Sequence, residues 1–441
     1  MQSLTNSRST LLVFAGLLLL SLLFVGTGSV TTRGQDETLN IITEVGSHTD
    51  AWKSVRDQFE AEHNVKVEVN EFPFDQFREQ LSLKFSAGDV AFDLAYIPIG
   101  WVPQFLDNLT PVEDQGSVDT LELDDFAGIE NAYFGEDELY FVPYMNETHG
   151  VLYRKDLFND PEEREGFKDE YGYSLEPPKT MSEYHDIAEF FHRPDEGLYG
   201  VSLMGDRSIL LGFHFYNRLF NHGGDILDED YRPAFNNEAG VKALKELEDL
   251  FEYTSAAATS YGWQGAQAEF LQGRSAMAEM ATTIAQIAQD QEQSKVVGDV
   301  GFTGIPTTEA GVDKPKRLYL PFGFVITQDS DQKELAFEWI KHATSKEYMK
   351  EAAPVGNIPA RYSVLRGEIA EEYPYYSSHA DAMEQSNLEP LPLIPEGATV
   401  TSEILPTAIS SYLTGDQTAE EVLEQAASKT RDLMEENGYY D

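Results

Sequence analysis

The chain has 441 residues, 41% of them hydrophobic, with 77 acidic against 31 basic side chains and a formal net charge of −46. That length exceeds what one hydrophobic core serves and predicts two domains, while so acidic a surface repels phosphate backbones and excludes nucleic acid as a partner. Cysteine is absent, which removes disulfides, thiolate metal sites, cysteine nucleophiles and any lipid-modified cysteine anchor.

In chain order, residues 11–26 form an uncharged apolar run behind Arg8 and ahead of a polar stretch, the pattern of a secretory signal. Carried to Val30 the run is long enough to span a bilayer. Residues 1–35 therefore read as a signal peptide or an N-terminal membrane anchor plus linker. Either puts the body outside the cytoplasm, secreted or tethered to the outer face of the cell membrane. The whole chain carries 26 Phe, 22 Tyr and 4 Trp, which argues for a packed protein despite the charge. Its acidity suits a solvated surface in high salt, where like charges are screened, and so a halophilic source.

Residues 39–45 read as a strand running into Glu44-Val45-Gly46-Ser47-His48. Trp52, Val55 and Phe59 recur at helical spacing, residues 65–69 alternate as a half-buried strand, and Phe77, Leu81 and Phe85 mark a helix ended by Gly88. Residues 91–97 are a third apolar run, and strand, helix, strand, helix, strand predicts a parallel α/β sheet. A second unit begins near Gly150, with a strand at 151–153. There Thr180 and Glu183 are spaced as a capping box, opening a helix that carries Ile187, Phe190 and Phe191. Further helices are predicted at 238–253, 264–271, 332–343 and 418–437, and strands at 300–305 and 318–327. No repeat of 20 to 50 residues occurs, so a solenoid is excluded.

Seven segments in order resemble the extracellular solute-binding proteins of ABC importers, the family that includes the maltose- and trehalose-binding proteins. They are Phe85-Ser86-Ala87-Gly88 leading to Phe92-Asp93-Leu94; Phe141-Val142-Pro143-Tyr144 with Leu152-Tyr153-Arg154-Lys155-Asp156-Leu157-Phe158; and Glu176-Pro177-Pro178-Lys179-Thr180. Asn221-His222-Gly223-Gly224-Asp225-Ile226-Leu227 follows, then Glu269-Phe270-Leu271-Gln272-Gly273-Arg274-Ser275-Ala276-Met277, Gly301-Phe302-Thr303-Gly304-Ile305-Pro306-Thr307, and Gly356-Asn357-Ile358-Pro359-Ala360-Arg361. The resemblance covers residues 38–434 and implies an α/β, two-lobed periplasmic-binding-protein fold, each lobe a parallel-type sheet flanked by helices, with hinge strands between. Lobe one is expected at 36–146 and 315–350, lobe two at 147–314 and 351–441. It further implies a monomeric, non-catalytic receptor that needs no cofactor, captures a small solute, most readily a mono- or oligosaccharide, in the interlobe cleft, and delivers it to an ABC permease in the membrane.

A sugar offers apolar ring faces and a belt of hydroxyls, so its binder needs flat aromatic rings and side chains that hydrogen-bond neighbouring hydroxyls. By position in the family pattern the candidates are Glu44 and Ser47 after the first strand, Trp101, Tyr144 with Asn146 at the first crossover, and Phe322 with Gly323 on the returning strand. Lobe two adds Tyr216, Asn217, Trp263, Thr282 and Arg361. Tyr216 lies in the aromatic run Phe213-His214-Phe215-Tyr216, and Arg361 reads equally well as a salt-bridged residue. Pro321-Phe322-Gly323 stands where a Gly-Gly pair is common in the family, and Asp93 reads as a turn cap. Asn146-Glu147-Thr148 and Asn108-Leu109-Thr110 match glycosylation sequons, and a glycan on Asn146 would obstruct the cleft.

A secreted carbohydrate-active enzyme is the alternative from another class. The same fold holding a peptide, polyamine or polyol phosphate is a third. Carboxylate pairs are inevitable among 77 acids, and no G-x-S-x-G elbow, Walker A loop or H-E-x-x-H helix occurs. Asp225, Asp228 and Asp230 lack EF-hand spacing and read as a solvated hairpin tip, and His185 with His192 as surface; no metal is expected.

Overall fold

The computed structural model describes residues 37–88, 91–308 and 315–440; the apolar N-terminal run lies outside the described residues. Among the described residues no helix is long and apolar enough to cross a membrane. Two sheets organise the chain. In the first, Lys66–Phe72, Thr38–Glu44, Leu94–Pro98, Leu320–Thr327 and Leu109–Thr110 lie side by side in that order, and Val142–Glu147 also pairs with Leu320–Thr327. Thr38–Glu44 runs parallel to both neighbours, as the sequence predicts, whereas the returning strand Leu320–Thr327 is antiparallel to Leu94–Pro98. Leu39, Ile41 and Ile42 are fully buried, covered by Trp52, Phe59, Phe77 and Leu81 from the helices Ser47–Lys53, Arg56–His63 and Phe74–Ala87. The predicted single helix around Trp52 is thus two, interrupted at Ser54-Val55. The third helix ends at Gly88, whose φ of 63° is the left-handed cap that glycine adopts without strain.

The second sheet has the order Val300–Gly304, His149–Arg154, Ser275–Ala281, Tyr199–Ser202. It is mixed rather than parallel: His149–Arg154 enters directly from the other lobe and opposes both neighbours, while Ser275–Ala281 and Tyr199–Ser202 run parallel. Helices Met181–Phe191, Ile209–Asn221, Glu238–Phe251, Leu405–Thr414 and Ala419–Glu436 supply the second core. Thr180 and Glu183 form the predicted capping box, and Thr418 with Glu421 forms another.

The chain crosses between lobes at 147–149, at Tyr319 and again after Met383. The last crossing corrects the expected boundary at 350. Ile358, Ala360, Leu365, Tyr376, Ala380 and Met383 belong to the first core, because residues 357–361 add to the hinge from the lobe-one side, with Asn146 N–H donating to Ile358 O and Ala360 N–H to Tyr144 O. Residues 400–434 return to the second core.

Lobe two is pinned by a buried ionic cluster. The Arg218 guanidinium donates to both oxygens of Glu279, at 2.9 and 2.8 Å, and to His214 O at 2.9 Å. Met204 N–H donates to His214 Nε2, so the imidazole proton sits on Nδ1 and is given to Glu279 Oε1 at 2.7 Å. The cluster ties the helix Ile209–Asn221 to the middle of the sheet. Burial opposes ionisation of Glu279, yet Arg218 and His214 hold its carboxyl far below the ordinary 4.5. A carboxyl with a depressed folded pKa stabilises the protein above its unfolded pKa and loses that contribution as pH falls below it. Glu279→Ala leaves Arg218 buried and uncompensated, and denaturant titration in molar salt is expected to show a loss of about 3–5 kcal/mol, whereas the double replacement Arg218→Met with Glu279→Leu recovers most of it. A single variant as stable as wild type would show that the pair is not pinning the lobe.

Candidate ligand-binding cleft

The cleft lies beyond the carboxyl ends of the parallel strands, where open α/β sheets place their ligands. Glu44 closes the first strand and is 5% exposed; its Oε1 meets His48 Nε2 at 3.0 Å. Gly46 makes this possible, since a Cβ there would lie 2.8 Å from His48 Nε2. Ser47, exposed, begins the helix that carries His48. On the neighbouring segments Trp101 is half-buried and stacks on Phe74, with ring centroids 5.6 Å apart and planes 18° apart. Phe74 is 43% exposed and approaches Phe322, which in turn lies 5.0 Å from the His48 ring and 6.1 Å from Tyr96. Gly323 lets the returning strand press against its partner, because a Cβ there would stand 2.3 Å from Val142 O. Trp101, Phe74, Phe322 and His48 thus make an aromatic wall beside a carboxylate.

The hinge end of the cleft carries a second carboxylate. Glu147 ends the crossing strand Val142–Glu147 and accepts from Thr283 Oγ1 of lobe two at 2.8 Å. Burial raises its pKa, the Thr283 hydrogen bond and His48 lower it, and Glu44 raises it; the balance is upward. The lobes also meet where Gln286 Nε2 donates to Pro354 O at 2.6 Å and where Arg78 faces Glu403 at 3.7 Å.

Of the residues nominated from sequence, the structure brings together Glu44, Ser47, Trp101, Phe322 and Gly323 on the lobe-one wall. Tyr144 lies buried beneath it, its ring 6.0 Å from that of Tyr96. Trp263 opens the helix Trp263–Leu271 in lobe two, half-buried against the small core of Met204, Phe270 and Ile284. The remaining five have their polar atoms committed to the fold. Asn146 is fully buried and its Nδ2 donates to Ala127 O and Ala360 O. The Tyr216 hydroxyl donates to Thr401 O, and Asn217 joins Phe213 O to Leu318 N–H. Thr282 sits against His379 Nδ1 at 2.8 Å, in a site where burial lowers that histidine to about 4. Arg361 lies in lobe one, not lobe two; its guanidinium donates to Thr344 O, Leu121 O and Glu122 O, and stacks 4.0 Å over Phe126.

The sequence reading did not nominate Phe74, His48, Glu147 or Thr283, which the structure places on this wall and at the hinge end. Phe74 carried a usable signal: an aromatic behind Pro73 at a strand end, where a large ring has little structural excuse. Asp93 does not cap the turn that follows it: its carboxylate accepts from Asn40 N–H and Ser330 Oγ, both far away in sequence. Asp228 Oδ1 accepts from the N–H groups of Asp230 and Arg232 in the expected hairpin tip, and no metal-holding group of His, Asp and Glu occurs among the described residues.

Because its folded pKa is raised, Glu147 costs stability once pH exceeds its unfolded value, and that cost is absent when both states are protonated. Glu147→Gln keeps an acceptor for Thr283 and removes the charge. It is expected to raise the melting temperature at pH 7 by about 1–3 °C and to leave it unchanged below pH 4. Scanning calorimetry at both pH values checks this; a lower melting temperature at pH 7 would show that the charge stabilises the hinge.

Residues 46–350 match the family of bacterial extracellular solute-binding proteins. The mannitol-binding protein of Pseudomonas aeruginosa is 26% identical over 320 residues, 68% of this chain and 70% of that protein. A ribitol complex of an ABC transporter solute-binding protein from Agrobacterium radiobacter superposes with a TM-score of 0.77, at 24% identity, covering 90% of this chain and 98% of that one. A maltose-bound protein from T. maritima gives a TM-score of 0.76 at 21% identity, covering 90% and 99%. With a family match over residues 46–350 and a fold of two such sheets, the chain belongs to the bacterial extracellular solute-binding proteins, extracytoplasmic receptors of ABC transporters and not enzymes.

Proposed function

We propose that this receptor captures a neutral polyhydroxylated solute, a polyol or a mono- or oligosaccharide, between its lobes and presents it to an ABC permease. The observation that carries the reading is the half-exposed Phe74 ring stacked on Trp101 and leading through Phe322 to the Glu44–His48 pair. It offers a flat apolar face next to hydroxyl acceptors. Two carboxylates in the cleft disfavour a phosphate or a sugar acid. The mannitol, ribitol and maltose named for the proteins above fall in the same chemical class. The N-terminal apolar run supports secretion or tethering at the outer face of the membrane, and the acidic surface supports operation in high salt.

Calorimetric titration of the full-length chain in molar salt, against a panel of pentitols, hexitols and mono-, di- and trisaccharides, is expected to give saturable one-to-one binding without product. Phe74→Ala, which removes an exposed ring rather than a core one, is expected to weaken that binding about tenfold or more. Silence across the panel would move the ligand outside polyols and sugars.

A further inference from the structure

The segment Gly356-Asn357-Ile358-Pro359-Ala360-Arg361 contains one residue that the hinge does not use. Met145 bridges Pro359 in antiparallel register, flanked by the hydrogen bonds from Asn146 N–H to Ile358 O and from Ala360 N–H to Tyr144 O. Two residues further along that register, Asn357 falls opposite Glu147. Its neighbour Gly356 backs onto Ser47, where a Cβ would lie 2.5 Å from Ser47 Cβ. Asn357 is therefore at the apex of the cleft, between the helix of Ser47 and His48 and the Glu147 end of the hinge.

Its backbone is satisfied: the N–H donates to Ala353 O, and the carbonyl accepts from the Tyr376 hydroxyl at 2.9 Å. The side chain is not. It is 0% exposed, yet neither Oδ1 nor Nδ2 has a hydrogen-bond partner among the described residues. The buried hydroxyls of Tyr96 and Tyr144 are in the same condition, and Tyr96 lies within electrostatic reach of both Glu44 and Glu147. Buried amides are paired as a rule, and an unpaired one calls for an explanation, which a ligand reaching it would supply.

The inventory of groups selects the ligand. Glu44 and Glu147 can only accept when ionised, whereas each hydroxyl of a neutral polyol both donates and accepts. Asn357 Nδ2 and the two tyrosine hydroxyls supply the missing donors, and Asn357 Oδ1 adds an acceptor. An anion would face the carboxylates, and a cation would face the donors. We infer that Asn357 is a specificity-determining residue, its amide spanning two neighbouring hydroxyls of the solute at the cleft apex. This rests on the reading of the cleft as a polyol or sugar site.

Asn357→Leu keeps the forked shape and removes every polar side-chain atom, and Asn357→Asp conserves shape while removing the donor. For the tightest solute of the panel, both are expected to weaken binding tenfold or more in calorimetric titration of the full-length chain. The melting temperature of ligand-free Asn357→Leu is expected to equal or exceed that of wild type, because an apolar group of the same shape leaves nothing unsatisfied. Unchanged affinity, or a fall in the ligand-free melting temperature of Asn357→Leu, would overturn the assignment by showing a structural amide. A wild type silent toward the panel would overturn both the assignment and the polyol reading, whereas a wild type that binds while both variants bind equally well would overturn the assignment alone.

Discussion

The architecture depends on how Asn146 is held. Strands that pass between two lobes leave the shelter of both sheets, and their polar groups must be paired without either core's help. Asn146 does this for three stretches at once. Its N–H reaches Ile358 O, its carbonyl accepts from His379 Nε2 at 2.9 Å, and its amide nitrogen donates to Ala127 O and Ala360 O. Its Oδ1 stands 2.9 Å from the hydroxyl of Tyr319, the residue at which the second crossing is made. One side chain thus ties the outgoing strand, the returning strand and the segment from 357 to 361. A hinge of this kind lets the lobes rotate about a fixed line while the hydrogen bonds on that line persist. It also means that the sequon at Asn146 is closed to a glycan in the folded chain.

The same economy separates structural from functional charge. In lobe two, Glu279 is surrounded by donors on every side and its ionisation is secured by Arg218, so it can do nothing but hold a helix to a sheet. In the cleft, Glu44 and Glu147 have one partner each, His48 and Thr283, and no arginine or lysine pairs with either among the described residues. Buried carboxylates with no arginine or lysine beside them are costly unless a ligand uses their free lone pairs. The surrounding acidic surface adds to that cost at low salt and adds little at high salt, where the Debye length shrinks to a few ångströms.

What the sequence made legible follows from what repeats locally. Strand alternation at Val67 and Val69, the helical spacing of Phe77, Leu81 and Phe85, and the Thr180–Glu183 box depend only on near neighbours, and each appears where the periodicity puts it. That Glu44, Trp101 and Phe322 gather on one wall was reachable because they sit at or beside strand ends. The hydrogen bonds that engage Tyr216, Asn217 and Arg361 could not be read locally, because the partners of a polar side chain are decided by residues far away in sequence. Thr401 lies 185 positions from Tyr216, and Leu121 lies 240 from Arg361. The lobe boundary was misplaced for the same reason, since nothing near residue 351 announces that residues 357–361 will rejoin the hinge.

Closure and recognition then become one equilibrium. A ligand shifts a two-state hinge only by the difference between its interactions in the closed and open forms. The aromatic wall belongs entirely to lobe one and so offers nearly the same contact in both forms; it can set affinity without driving closure. Thr283 is different, because it reaches Glu147 from lobe two, and Gln286 meets the carbonyl end of the helix Lys346–Gly356 from the same side. These contacts join the two lobes. A solute held on the wall, and long enough for its hydroxyls to replace or extend the Thr283–Glu147 bond, gains its extra interactions only when the lobes come together, and that increment is what turns binding into a signal that a permease can read.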